Sequence, residues 1–256
     1  MMALIDGDSP CYALAYAQEK DGEVKENGDL FLYKAMDTML ETIISECNAD
    51  DYKVFLSGKS NFRLEVDPLY KANRAGMKKP LLLQAARDYL EIVHNAIVSD
   101  GVEADDLVCI EQTALFNEEI ESCIAGIDKD LLQQEGCHYR WALRGKPSVL
   151  RYVTKEEGLH NLYMQALEGD KIDNIMQWLN PETNTWQKCY GLGKVGAGKA
   201  LEGCVTEKDF QRTCLEVYST LKRKDNGETP SKEDFIVNMN LLYMKRTMTD
   251  EWKCLV

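Results

Sequence analysis

Apolar residues keep two different periods along this chain, and the change from one to the other divides it. In the first 153 positions, short apolar runs recur at Ala3-Leu4-Ile5, Tyr52 to Leu56, Ala96-Ile97-Val98 and Ser122 to Ile127. Two more lie at Tyr139 to Leu143 and Val149 to Val153, around Gly145-Lys146-Pro147. Each is too short for a helix and is bounded by turn residues, which predicts buried strands. Between them the helical period takes over. Leu32, Met36, Met39, Leu40, Ile43 and Cys47 predict a helix over 30–47. Leu82, Ala86, Tyr89, Leu90 and Val93 predict a second one, entered through Pro80, and a third is expected over about 105–117. Beyond residue 153 the strands stop. Thr154-Lys155-Glu156-Glu157 is a capping box opening a helix to about residue 168, and helices are expected at 207–222 after Thr206 and 232–245 after Ser231. The polar stretch 176–190 contains tryptophan, keeps no period and reads as a loop. The pattern therefore predicts an α/β half over 1–153 with a central, mostly parallel sheet, followed by a helical region over 154–256.

Acids stand where these strands end. Asp6 and Asp8 follow the first, Glu103, Asp105 and Asp106 the third, and Asp128 and Asp130 the fourth; Asp170 and Asp173 occupy a later turn. Parallel strands bring their C-terminal ends to one edge, so the first three groups should converge there. Each group also has an ordinary structural reading. Asp100 with Glu103 fits a capping box, and the others fit N-caps or Asx turns. Carboxylates forced together need either protons or a cation. Oxygen ligands without His or Cys select hard cations, Mg²⁺ or Mn²⁺. Two such ions about 4 Å apart are an apparatus for phosphodiester cleavage.

Composition narrows the picture. The 256 residues are 45% hydrophobic and 29% charged, an ordinary globular balance. No apolar run approaches the ~20 residues that cross a bilayer, and Met1-Met2-Ala3-Leu4-Ile5 meets Asp6 at once, unlike a secretory leader. Nine cysteines without a C-x-x-C pair argue against structural zinc and for a reduced, cytoplasmic setting. A net charge of −13 argues against binding nucleic acid by bulk electrostatics. The basic residues nevertheless cluster. Arg63, Lys71, Arg74, Lys78 and Lys79 fall in one stretch, with Phe62 and Tyr70 interleaved. This is a candidate phosphate-contacting surface, or else a solvated helix face.

The glycine-rich run Gly191 to Ala200 offers two readings. Gly193 to Gly198-Lys199 fits the G-x-x-x-x-G-K core of a phosphate-binding loop, but Ala200 stands where that motif needs Ser or Thr, and residues 185–190 make a poor preceding strand. A glycine turn between helices, offering backbone N–H groups to a nucleic-acid phosphate, suits the context better.

With these residues laid out, the chain resembles the 5′→3′ exonuclease and flap endonuclease family in its short, phage-encoded form. The resemblance runs from Leu4 to about Leu201. It is carried by Phe62-Arg63, by Val66-Asp67-Pro68-Leu69-Tyr70-Lys71-Ala72-Asn73-Arg74 with Lys78-Lys79-Pro80, and by Val102-Glu103-Ala104-Asp105-Asp106. Ile127-Asp128-Lys129-Asp130 and Leu167 to Asn174 match further, in order and spacing. It implies a PIN-like, resolvase-like nuclease domain with a helical gateway near 61–95, then a helix–hairpin–helix motif near 187–203. Asp6, Glu103 and Asp105 would hold the first metal, with Asp106 helping and Asp8 in reserve. Asp128, Asp130, Asp170 and Asp173 would serve the second. Lys71 and Arg74 would contact the scissile phosphate, making them catalytic together with Asp105, Asp128 and Asp130; Arg63 and Tyr70 would position the strand. Gly191, Gly193, Lys194, Gly196 and Lys199 would grip duplex backbone, with a K⁺ ion there.

The implied activity is metal-dependent hydrolysis of DNA, or of RNA in an RNA–DNA hybrid, from 5′ ends or at branched junctions, by a monomer in the cytoplasm of a phage host. Two departures from the family stand out. The family keeps an acid just after the second strand, where this chain reads Leu56-Ser57-Gly58-Lys59, and its link to the glycine turn is shorter than 176–190. A degraded site that binds junctions without cutting them is the alternative reading; a nucleotide-hydrolysing protein is the third.

Overall fold

A computed structural model describes residues 1–143 and 145–256. In chain order the elements are β1 (Met2–Asp6), α1 (Asp8–Ala17), β2 (Glu19–Lys20), β3 (Glu23–Val24), α2 (Gly28–Glu46), β4 (Asp51–Leu56), α3 (Arg63–Val66), α4 (Leu83–Val93), β5 (Ile97–Val98), α5 (Ala104–Asn117) and β6 (Ser122–Ala125). There follow β7 (Gly136–Arg140), β8 (Val149–Val153), α6 (Lys155–Glu168), β9 (Gln177–Asn180), β10 (Thr185–Lys188), α7 (Lys194–Ala200), α8 (Glu207–Thr220) and α9 (Lys232–Leu242). They divide into two units. The first comprises Met1–Asn61, Met77–Thr154 and Met244–Thr249; the second comprises Phe62–Gly76, Lys155–Tyr243 and Asp250–Val256.

The first unit is built on a six-stranded sheet in the order β5-β4-β1-β6-β7-β8. The first five strands run parallel and β8 pairs antiparallel to β7. Side chains alternate across β1. Ala3 and Ile5 pack with Leu32, Met36, Leu40 and Ile43 of α2 and Ala86 and Leu90 of α4. Leu4, on the opposite face, packs with Phe55 and with Ala104, Val108 and Cys109 of α5. Both faces are covered, and that is why these strands read as continuous apolar runs rather than as an alternation. Strand β7 lies three residues before its expected place at Tyr139. Its register is set by the neighbouring strand, with Cys137 opposite Cys123 and Tyr139 opposite Ala125, a tertiary choice the local apolar run does not encode.

The second unit is mostly helical. Tyr163 of α6, Phe210, Cys214 and Tyr218 of α8, and Phe235 and Met239 of α9 form its core with Trp252. Thr206 and Ser231 cap α8 and α9 through boxes with Asp209 and Asp234, at the expected positions. Two departures from expectation follow from packing. The loop 176–190 contains the antiparallel hairpin β9–β10. The boundary expected at residue 153 is crossed by two short segments. Phe62–Gly76 belongs to the helical unit, where Arg63 donates to the carbonyls of Leu241 and Tyr243. Met244–Thr249 belongs to the α/β unit, where Met244 joins the Leu4 and Phe55 core.

The sheet edge is held by a close backbone approach. A Cβ on Gly58 would lie 1.9 Å from the Ser99 carbonyl oxygen, and the Gly58 N–H donates to Ser99 Oγ at 2.9 Å. Because the obstacle is backbone, no rotamer relieves it. Gly58→Ala is expected to lower stability by about 2 kcal/mol or more, read as a shift in the urea midpoint.

Candidate metal centre and nucleic-acid surface

Strands β1, β4 and β6 end almost level, since Asp6 pairs with Phe55 and Ile5 with Ala125. Asp6 therefore emerges between Ser57, one residue past β4, and the turn leading to Asp128. It is 6% exposed. Ser9 Oγ donates to its Oδ2 at 2.9 Å and the Asp8 N–H to its Oδ1 at 3.1 Å. Burial and the Asp8 charge push its carboxyl up to about 7, against the opposing pull of those two donors, and Asp128 adds a further push. Asp128 is exposed and accepts the N–H of buried Asp130 at 3.0 Å.

Ser57 ties this edge together. Its N–H donates to Asp8 Oδ2 at 3.0 Å, its hydroxyl accepts the Ala104 N–H at 3.0 Å, and its carbonyl accepts from Arg87 Nη2. The other nitrogen of the Arg87 fork, Nη1, pairs with Asp8 Oδ1. Asp8 was expected as a reserve ligand for the missing acid after β4. The structure does bring its carboxylate to that place, but already engaged by a guanidinium. Arg87 was absent from the sequence reading. The available signal was a charge one turn after Leu83 and three residues before Leu90, on the apolar face of α4.

The acids of α5 are also partly structural. The helix cap is Glu103, not Asp100: Glu103 and Asp106 form the capping box, with the Glu103 N–H donating to Asp106 Oδ2 at 3.1 Å. Asp106 is fully buried and its Oδ1 accepts the Lys245 N–H at 3.1 Å. Asp106, expected to help the metal, thus anchors backbone at the start of α5. Glu103 and Asp105 remain half-buried at the start of the helix. Among the described residues, no three His, Cys, Asp or Glu side chains are arranged to hold a metal ion. The chemistry of the edge nonetheless suits one. It is all oxygen, and burial, with the charges of Asp8 and Asp128 behind it, pushes the Asp6 carboxyl up, a proton demand that a divalent cation would relieve.

In the second unit, Asp170 is 5% exposed and its Oδ1 accepts the N–H groups of Ile172 and Asp173 at 2.6 and 3.1 Å. Asp173 is where the basic stretch is fastened. It accepts Tyr70 Oη at 2.8 Å and Arg74 Nη2 at 2.5 Å, with Lys71 Nζ at 3.7 Å. Burial raises its carboxyl, while the Lys71 and Arg74 charges pull the other way. Two strand-positioning assignments need correction. Arg63 is fully buried, its guanidinium spent on the Leu241 and Tyr243 carbonyls and stacked 4.7 Å from the Phe62 ring centroid. Tyr70 is 4% exposed, its hydroxyl given to Asp173. Arg74 is exposed and Lys71 half-buried, while Lys78 and Lys79 lie exposed in the first unit.

Gly191 takes φ +99, and a Cβ there would meet the Leu167 carbonyl oxygen at 2.8 Å, so the turn before α7 requires glycine. Gly193, Lys194, Gly196 and Lys199 are exposed beyond it. The preceding β10 is one strand of a two-stranded hairpin and not a buried sheet strand. The nucleotide-binding loop therefore lacks its required context.

Residues 1–172 match the family model of the 5′-3′ exonuclease N-terminal resolvase-like domain. A 5′-3′ exonuclease of Buchnera aphidicola subsp. Schizaphis graminum is 25% identical over 181 residues, 67% of this chain; the match spans 63% of that relative's length, under two thirds of it. Among solved structures, the bacteriophage T5 5′-exonuclease with bound divalent metal ions (zinc) superposes with TM-score 0.60 at 17% identity, over 94% of this chain and 88% of that one. The bacteriophage T5 flap endonuclease in a pseudo-enzyme–product complex with DNA and metal ions gives 0.59 at 17%, over 94% and 85%. The resolvase-like α/β fold with its mostly parallel sheet is thereby shared.

Two outcomes follow. Arg63→Met leaves two carbonyls unsatisfied and is expected to cost about 3 kcal/mol in a urea melt, with no change in duplex affinity of the folded protein. For Asp6, the folded state keeps a proton that the unfolded state has lost above about pH 4. Metal-free stability therefore falls as pH rises from there to about 7. Asp6→Asn removes that fall, so in EDTA it is expected to raise the melting temperature several degrees more at pH 8 than at pH 5.

Proposed function

The chain belongs to the 5′-3′ exonuclease family through its N-terminal resolvase-like domain, and from that premise we propose that it is a divalent-metal-dependent nuclease. Its substrate is DNA with a 5′ end, including 5′ flaps and branched junctions, and the RNA strand of RNA–DNA hybrids in the removal of replication primers. The observation that carries this reading is Asp6, buried at the end of the parallel sheet and loaded by the charges of Asp8 and Asp128. An edge of carboxylates in that state supports Mg²⁺ or Mn²⁺.

Asp6, Glu103 and Asp105 are assigned to one ion and Asp128 and Asp130 to another, while Asp170 and Asp173 are assigned to metal binding within the second unit. Such a pair of ions supplies activation of the attacking water and stabilisation of the leaving oxygen. The chain's own groups prepare the site around them. Ser9 orients the Asp6 carboxylate, Asp106 fixes the start of α5 and so the position of Glu103, and Ser57 holds Ala104. Asp173 must exchange Arg74 and Lys71 for a cation if it is to ligate, which frees both for phosphate oxygens. Lys71 and Arg74 then neutralise charge developing at the scissile phosphate. Exposed Lys194 and Lys199, with the N–H groups of the Gly191–Gly196 turn, are assigned to duplex backbone, and the turn's carbonyls to K⁺.

A second reading, junction binding without cleavage, draws on one observation: Asp8 is committed to Arg87 where the family would keep a free acid. Labelled 5′-flap and blunt duplexes incubated with and without Mg²⁺ separate the two. Cleavage only with Mg²⁺ is expected; retention on the flap without cleavage in Mg²⁺ and Mn²⁺ would sink the nuclease assignment. In the same assay Asp128→Asn or Asp130→Asn is expected to abolish cleavage while preserving DNA binding. Lys71→Ala is expected to slow single-turnover cleavage by about 10²-fold with little change in affinity; an effect on affinity alone would remove Lys71 from the chemistry.

A further inference from the structure

The edge of the first unit contains a charge for which nothing above gives a function. Arg87 lies on the core-facing side of α4, among Leu83, Ala86 and Leu90, and its side chain is 20% exposed. A guanidinium so placed loses much of its hydration and has to recover the loss from acceptors of the fold. Its fork is matched by two acceptors held by different strands: Asp8 Oδ1, just past β1, and the Ser57 carbonyl, just past β4. The second oxygen of Asp8 is taken by the Ser57 N–H at 3.0 Å. Both oxygens of Asp8 are therefore held by donors of this chain. Among the described residues, Asp6, two residues earlier, meets neutral donors, the Ser9 hydroxyl and the Asp8 N–H. Neighbouring carboxylates are thus treated differently, Asp8 given a fixed positive partner and Asp6 neutral donors among the described residues.

We propose that Arg87 is a built-in counter-ion of the acidic edge, a positioning residue that withholds Asp8 from the divalent ion and sets how tightly the remaining carboxylates hold it. This rests on the metal-dependent reading above. A permanent positive charge beside the cluster reduces the attraction felt by an incoming divalent ion and removes one candidate ligand, and both effects weaken binding. It also stands in for a cation when metal is absent, so the ends of β1 and β4 stay together under like-charge repulsion. Arg87 links them through one side chain.

The test reads metal binding directly, by Mn²⁺ electron paramagnetic resonance titration of the full chain without nucleic acid, with melting in EDTA alongside. Arg87→Met releases Asp8 and removes a positive charge. It is expected to lower the Mn²⁺ dissociation constant about tenfold while lowering the metal-free melting temperature, with Mn²⁺ restoring it. Arg87→Lys keeps the charge and is expected to stay within about twofold of wild type. The double variant Arg87→Met/Asp8→Asn removes the pair together and is expected to return to the wild-type constant, which keeps the test sharp if Arg87→Met alone does not fold. Destabilisation by Arg87→Met with an unchanged or weaker constant overturns the proposal, as does a loss of more than tenfold in the double variant, since Asp8 would then be a ligand. Wild-type protein that binds no Mn²⁺ overturns the metal reading and this inference together, whereas binding by wild type with no response to Arg87 overturns only the inference.

Discussion

Like-charge repulsion at the end of a parallel sheet is the constraint on which the rest of this structure turns. Level strand ends place Asp6, Asp8 and the Asp128 turn side by side, and the low-dielectric core beneath them makes their mutual repulsion expensive. Three kinds of relief are visible. Asp6 shifts toward its protonated form. Asp8 takes a guanidinium. Asp106 withdraws altogether and spends its oxygens on backbone N–H groups. The helical unit treats Asp173 by the same rule, surrounding it with Lys71, Arg74 and Tyr70.

This explains why carboxylates that look equivalent in sequence end in different states. A helix-capping box and a metal ligand set draw on the same residue types, and Glu103 with Asp106 shows a pair serving the first purpose. Asp106 and Asp6 differ in what they hold: Asp106 accepts backbone N–H groups from two separate segments, at Glu103 and Lys245, whereas Asp6, among the described residues, accepts from Asp8 and Ser9 just after it in the chain.

The strands of the sheet and most of the helices were legible because burial on both faces writes itself as unbroken apolar runs. That Asp6, Asp8 and the Asp128 turn share one sheet edge was legible because parallel topology follows from those runs. What the sequence hid was set by distant partners. Arg63 looked like a surface cation in a basic stretch, yet its partners are the carbonyls of residues 241 and 243. Strand β7 slipped three residues because its register comes from β6. The hairpin β9–β10 carries too short an alternation to stand out among polar residues, and Arg87 was masked by an otherwise regular amphipathic helix. Ser57 is the instructive case. As a letter in the chain it reads as a missing acid, whereas in the fold its backbone and hydroxyl organise three neighbouring segments.

The two short exchanges of chain, residues 62–76 and 244–249, bear on how the protein can be taken apart. A fragment ending near residue 153 would lack Met244, leaving a gap beside Leu4 and Phe55, and would deprive Asp106 of the Lys245 N–H. The complementary fragment would lack Arg63 and leave the end of α9 with its carbonyls unanswered. Neither piece is a self-sufficient domain, although each has its own core. Completing the α/β unit therefore requires Lys245, which lies 139 residues beyond Asp106 in the chain. The start of α5 receives its Lys245 donor only after the intervening helical residues have been made, which orders assembly so that the α/β unit is completed late.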